Sequence, residues 1–215
     1  MSNILKAAKL DFALIKPYIK VICFTMLLPA AFAAINRSLL TGVAFAMCFI
    51  AMTTGYTFSI TEKNGMERLY GILPVKKSEM VIGRYLFILA LGAIALAVSI
   101  IIQPIVLRLM GERAETLDIA GAAMAGLFMF ALYTVFQIPG YYKFGSIKGR
   151  IFMYIPVAGF LAALFLIPEI PADNPIINAA ANSPVLLIIP VIALVAAMYA
   201  ASVWVSIRVM KNKEM

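Results

Sequence analysis

The chain contains no histidine, and only 13% of its 215 residues are charged. Without an imidazole, no nucleophile-and-base set of the Ser-His or Cys-His kind can be assembled. The acids do not replace it. Asp11, Asp118 and Asp173 all lie outside the long apolar runs, which argues against an aspartate-based membrane protease. No ionisable side chain falls near the middle of any run either. A proton- or sodium-coupled carrier usually keeps one at that depth, because a charge in hydrocarbon is too costly to retain without a function. There is no Gly-rich loop ending in Gly-Lys-Ser/Thr, and so no such cradle for ATP. No charged ring or Thr/Gly-rich filter segment marks a passive channel. The two cysteines, Cys23 and Cys48, sit inside apolar runs and read as small packing residues, with no disulfide framework or metal site. The chain is therefore expected to be no enzyme, and to hold no cofactor of its own.

What fills the chain is apolar. Hydrophobic residues make up 64% of it, and the mean hydropathy is +0.99. A soluble domain carries about 25% charged residues, so this chain cannot clothe a globule of its size in polar surface. The expected class is an all-α integral membrane protein, a single domain over residues 1–215. Six apolar runs stand out, at 21–35, 39–60, 81–107, 119–138, 151–167 and 185–205. A crossing takes about 20 residues, which leaves the first and fifth marginal and the third long enough to tilt. Pro29 predicts a kink in the first. The segment 168–184, with four prolines and no basic residue, is too polar to span.

The net charge of +8 is distributed unevenly. Fifteen of the 18 basic residues fall in the N-terminal segment, the second loop with the start of the third run (Arg84), the fourth loop and the tail, while Arg37, Arg108 and Arg113 fall on the other side. That asymmetry orients a multi-pass chain with both termini cytoplasmic and favours contact with anionic lipid. It is not the basic stripe with interleaved aromatics that would point to nucleic acid. Lysines, an apolar stretch and Ala31-Phe32-Ala33 imitate a cleavable signal, but a basic region of some twenty residues is long for one, and an uncleaved first span is expected.

Within 1–20, Leu5, Ala8, Phe12, Ile15 and Ile19 recur at helical spacing, with Lys6, Lys9, Lys16 and Lys20 on a neighbouring stripe. Such a helix lies in the interface, lysines toward phosphates and water. The second loop, 61–80, is the longest polar interruption. Thr61 or Asn64 offers a cap, and Met66, Leu69, Tyr70 and Leu73 at i, i+3, i+4, i+7 give a short helix one apolar side. Glu62, Lys63, Glu67 and Arg68 fall mostly away from that side, Pro74 stops the helix, and Ser78 offers a cap for the next run. A short amphipathic helix held between two spans reads as a docking element. Arg84, one turn inside the third run, is expected to reach lipid phosphates or a docked partner. Gln103 and Gln137, just ahead of Pro104 and Pro139, either satisfy backbone groups freed by the prolines or line a substrate path.

The segment EKNGMERLYGILPVKKSEMVIGRYL, residues 62–86, resembles the corresponding segment of ABC-2-type transporter permeases. Glu62-Lys63-Asn64, Glu67-Arg68, Leu73-Pro74-Val75-Lys76-Lys77 and Arg84-Tyr85 carry the likeness, and six spans with an interfacial N-terminal helix extend it to the whole chain. It is similar to the small permeases of Gram-positive exporters of amphipathic peptides, the phenol-soluble-modulin type among them. The resemblance implies a bacterial cytoplasmic-membrane exporter in which two permease chains, identical or sister, work with separate ATPase subunits that bind ATP and magnesium. It implies that the second loop is the coupling helix seated in an ATPase groove, that the N-terminal helix also touches the ATPase, and that spans one, two and five border the translocation path. The amphipathic docking loop and the lack of an energy source point the same way from the residues themselves. The rival class is a non-transporting immunity or sensor module that binds a peptide or lipid.

Overall fold

Proline sets the first boundary. The computed structural model describes residues 3–66, 75–112, 114–159 and 184–212. In it, helix α1 (Asn3–Ile15) stops just ahead of Pro17, which has no N–H to continue the ladder. One 3-10 turn, Lys16–Tyr18, separates it from α2 (Ile19–Asn36), which runs through Pro29. The chain leaves α2 through Arg37, in the left-handed region at φ 49. Ser38 then caps α3 (Leu39–Lys63), its hydroxyl accepting the Thr41 N–H at 3.4 Å. Thr61 lies inside the last turn of α3 and Asn64 is its C-terminal cap, so neither starts a new helix as the spacing suggested.

Helix α4 (Lys77–Leu109) begins before Ser78. Its N-terminus is held instead by the Glu79 carboxylate, which accepts the Lys76 N–H at 3.1 Å. Helix α5 (Thr116–Lys148) starts likewise, with Asp118 accepting the Glu115 N–H at 3.0 Å. It continues past the apolar run 119–138, breaks at Gly145, and leads into a 3-10 turn, Gly149–Met153. The last element is α6 (Pro184–Asn212).

Among the described residues every element is helical, and five stretches are long and apolar enough to cross a membrane: Asn3–Asn36, Leu39–Lys63, Lys77–Leu109, Thr116–Gly159 and Ile192–Asn212. Of the apolar run 151–167, only 151–159 is described. In lipid, apolar side chains gain little by leaving the tails for one another, so helices associate through close approach and buried hydroxyls. Both are present. The central pair is α3 and α5, where Val43 and Met47 pack on Gly126. Tyr85 of α4 meets Ser202 and Ser206 of α6 at 2.6 and 2.9 Å, and Ser202 donates to the Val135 carbonyl at 2.8 Å. Large apolar side chains such as Phe24, Ile35, Ile94 and Ile101 stay on the outside, where lipid would meet them. The lysine-rich end gathers α1 with the ends of α3 and α5 and the start of α4. The opposite end carries the turn after α2 and the start of α5, bridged by an exposed Arg37–Glu112 ion pair at 3.6 Å.

Candidate functional site

The lysine-rich end is where α1 meets the bundle, and glycine makes the meeting close. A Cβ at Gly83 would lie 2.6 Å from the Ala7 Cβ and 2.8 Å from the Ile4 carbonyl oxygen, so only a glycine lets α1 seat here on α4. The seat is locked by charge. Arg84 donates from Nε and a terminal nitrogen to the two oxygens of Asp11, at 3.1 and 2.9 Å, and both side chains are buried. This is the fork geometry that guanidinium and carboxylate favour. The same terminal nitrogen donates to Thr61 Oγ1 at 3.1 Å, while the Thr61 hydroxyl donates to the Thr57 carbonyl at 2.7 Å. The Phe58 ring lies 4.6 Å from the guanidinium carbon and Tyr142 5.8 Å. One side chain of α4 therefore touches α1, α3 and α5. Arg84 turns inward to partners in its own chain, not outward to phosphates as its position in the run suggested. Asn3 adds a bond from the start of α1 to Glu79 at 3.3 Å.

A second tie lies one residue on from Thr61. Glu62 Oε2 accepts the backbone N–H of Ser146 at 2.8 Å, directly after the break at Gly145. Beyond the break the chain folds back on α5, with the Phe152 ring stacked on Phe144 at 5.4 Å. On the neighbouring face a cavity of about 310 Å³ opens between α2, α3 and this elbow. Thr25, Phe49, Met52 and Tyr56 line one side and Tyr141, Arg150 and Met153 the other.

The residues singled out from the sequence fall as follows. Lys6, Lys9, Phe12 and Lys16 are exposed on or just after α1, whereas Ile15 is buried against the bundle. Lys63 and Asn64 are exposed at the end of α3, and Met66 is half-buried. Glu67, Arg68, Leu69, Tyr70 and Leu73 lie outside the described residues. Gln103 and Gln137 are both buried but are not brought together: Gln137 accepts from the Thr54 hydroxyl at 3.1 Å, and Gln103 abuts Gly42 and Ala33. Neither Gln103 amide atom has a partner among the described residues, nor does the Gln137 nitrogen. Sequence reasoning passed over Asp11, Thr61 as a ligand of Arg84, Gly83, Gly145 and Ser146. Among the described residues no three acids or cysteines gather as a metal ion would require.

The ends of α3 and α4 that flank residues 67–74 lie where four helices are fastened by charge and hydrogen bonds. Comparison with known proteins gives the arrangement a context: the model of a family described as ABC-2 family transporter protein matches residues 8–211. No curated protein and no solved structure matches the chain.

Proposed function

The chain belongs to the ABC-2 family of transporter proteins, and from that premise we propose that it is the membrane-spanning permease subunit of an ATP-binding-cassette exporter. Its cargo is an amphipathic or hydrophobic molecule (a peptide, drug or lipid), moved by alternating access. ATP and magnesium bind a separate ATPase subunit, and a second permease chain, identical or sister, completes the path. Six spans cross a bacterial cytoplasmic membrane, with both termini and the loop after α3 on the cytoplasmic side. The observation that carries the reading is the fastening of α1, α3, α4 and α5 around that loop through Asp11, Arg84, Thr61 and Glu62. Closure of an ATPase pair can shift the spans only if the two ATPase states differ in affinity for the loop, and only if the loop is firmly joined to the spans.

Docking is assigned to the apolar side of the loop helix, with Tyr70 as the central anchor and Glu67 at the rim. Truncating a buried aromatic anchor costs about 2 kcal/mol or more, roughly thirtyfold in affinity, whereas an exposed charge is worth about 1 kcal/mol or less. Tyr70→Ala should yield an inserted, folded chain that no longer co-purifies with its ATPase, and Glu67→Ala should still do so. Full association of Tyr70→Ala with loss in Glu67→Ala would make docking electrostatic. Should neither change matter, the loop lies on lipid, and the sensor-module reading takes its place.

A further inference from the structure

We propose that Glu62 is a positioning residue: it clips the end of α3 to the break in α5, so that a displacement of the docking loop reaches residues 146–159. The proposal rests on the permease reading for the displacement, and on geometry alone for the clip.

The break is sharp. Gly145 sits at φ 78, ψ 179, inside a stretch that is otherwise helical. Such a residue cuts the hydrogen-bond ladder, so the helix that resumes beyond it has unsatisfied N–H groups in its first turn, as any helix start does. Ser146 is 6% exposed, and its N–H is taken by a carboxylate 84 residues away in the chain. A bond to an ionised acceptor is roughly twice as strong as one between neutral groups. The φ of Gly145 favours glycine, and its bare Cα leaves the exposed Glu62 side chain room to approach, since a Cβ there would lie 3.3 and 3.4 Å from the two Glu62 oxygens.

The position of Glu62 is itself informative. It stands in the last turn of α3, where the helix dipole disfavours an acid. The same carboxylate lies at the start of another helical segment, where the dipole favours it. An acid misplaced on its own helix is well placed on its neighbour's.

The cut in the ladder at Gly145 makes α5 a looser link to residues 146–159 than an unbroken helix would be, and the clip adds a direct link from the end of α3. Glu62 is four residues from Met66, where the chain enters the docking segment, and it is adjacent to Thr61, which is fixed through Arg84 to α4 and α1. The elbow it holds supplies Arg150 and Met153 to the wall of the 310 Å³ cavity. A push on the loop is thereby delivered to one side of that cavity.

The test compares Glu62→Gln, which keeps an oxygen to accept the Ser146 N–H, with Glu62→Ala, which keeps none. Backbone hydrogen exchange is followed in a peptide covering 143–153. In the purified chain alone, Glu62→Ala should exchange at least about tenfold faster there, and Glu62→Gln should stay near wild type. With a co-expressed ATP-binding-cassette ATPase from the same genome that the wild-type chain captures, and a non-hydrolysable ATP analogue, exchange in 143–153 should shift in wild type and Glu62→Gln. It should not shift in Glu62→Ala, although the ATPase is still captured. Exchange in Glu62→Ala no faster than in wild type, or equally fast in Gln and Ala, overturns the clip as an oxygen-to-N–H bond. A wild-type shift in Glu62→Ala overturns the transmission. Failure of the wild-type chain to capture any such ATPase overturns the permease reading and the transmission with it, while the exchange in the chain alone still decides the clip.

Discussion

Removing Arg84 should be the most damaging single change at the lysine-rich end, and removing its partner with it should be far milder. The Arg84 and Asp11 side chains are 7% and 5% exposed and make two charge-assisted hydrogen bonds. Arg84→Met leaves the buried Asp11 carboxylate without its counter-charge, a situation that costs about 3–5 kcal/mol. Thr61 adds little to that cost, because its hydroxyl still donates to the Thr57 carbonyl. At about 2–4 °C per kcal/mol for a chain of this size, the unfolding midpoint should fall by roughly 6–20 °C. Asp11→Leu strands the guanidinium and should fall comparably, softened by the two aromatic rings that remain against it. In the double variant Asp11→Leu/Arg84→Met no charge is stranded, and replacing a buried pair by apolar groups of similar size is often close to neutral.

The assay is thermal unfolding in detergent at a fixed scan rate, since heating of membrane proteins is commonly irreversible. With the exposed Cys23 replaced by serine in every variant, a thiol-reactive dye reports the opening of the bundle through the partly buried Cys48. The double variant should unfold well above either single one. A drop of less than about 2 °C in Arg84→Met would mean that the pair is hydrated, and strict additivity of the two singles would mean that they do not interact.

Three further outcomes follow from the same geometry. Gly83→Ala forces α1 off α4, at a cost of about 1–3 kcal/mol, and should loosen the α1 backbone so that trypsin cuts faster after the already exposed Lys6 and Lys9; an unchanged digest would remove the close seat. Gln103→Leu removes a buried amide with no partner among the described residues and should raise the midpoint by the equivalent of about 1–3 kcal/mol, whereas Gln137→Leu, which costs only the Thr54 contact, should change it by less than about 1 kcal/mol. A fall in Gln103→Leu would show that the amide is satisfied in the membrane. With Cys23 and Cys48 replaced, a cysteine at Ala114 should react with an impermeant thiol reagent on intact cells and one at Lys148 should not, and the reverse pattern would invert the orientation.

The helices were legible because their signal is local. Apolar runs marked the long helices, but the helix expected over 1–20 ends at Ile15: Pro17 breaks it, which the periodicity did not show, and Ile19 and Lys20 belong to α2. Contacts between distant residues were not legible. Nothing near Arg84 in the sequence names Asp11, 73 residues earlier, as its partner. Periodicity on α1 was even misleading in one respect. It grouped Leu5, Phe12 and Ile15 on one lipid-facing stripe, yet Leu5 and Phe12 are exposed while Ile15 is buried, because the helix seats through the side that carries Asp11. A polar residue interrupting that side was the available clue.

The two ties at the lysine-rich end share a feature that pattern reading can use. Each centres on a residue that breaks a local rule. Asp11 is an acid placed among lysines and apolar side chains, and Glu62 is an acid at the wrong pole of its own helix. Local rules describe what an isolated segment prefers, so a residue that violates one either lowers stability or is compensated by something distant. Here both compensations are visible, Arg84 in one case and the Ser146 N–H in the other. Both partners also sit beside a glycine: Gly83, whose missing side chain makes the approach of α1 possible, and Gly145, whose positive φ makes the break. A misplaced acid and a glycine next to its partner form a pair of signals. Neither suffices alone, but together they mark where a membrane bundle is fastened by more than its apolar faces.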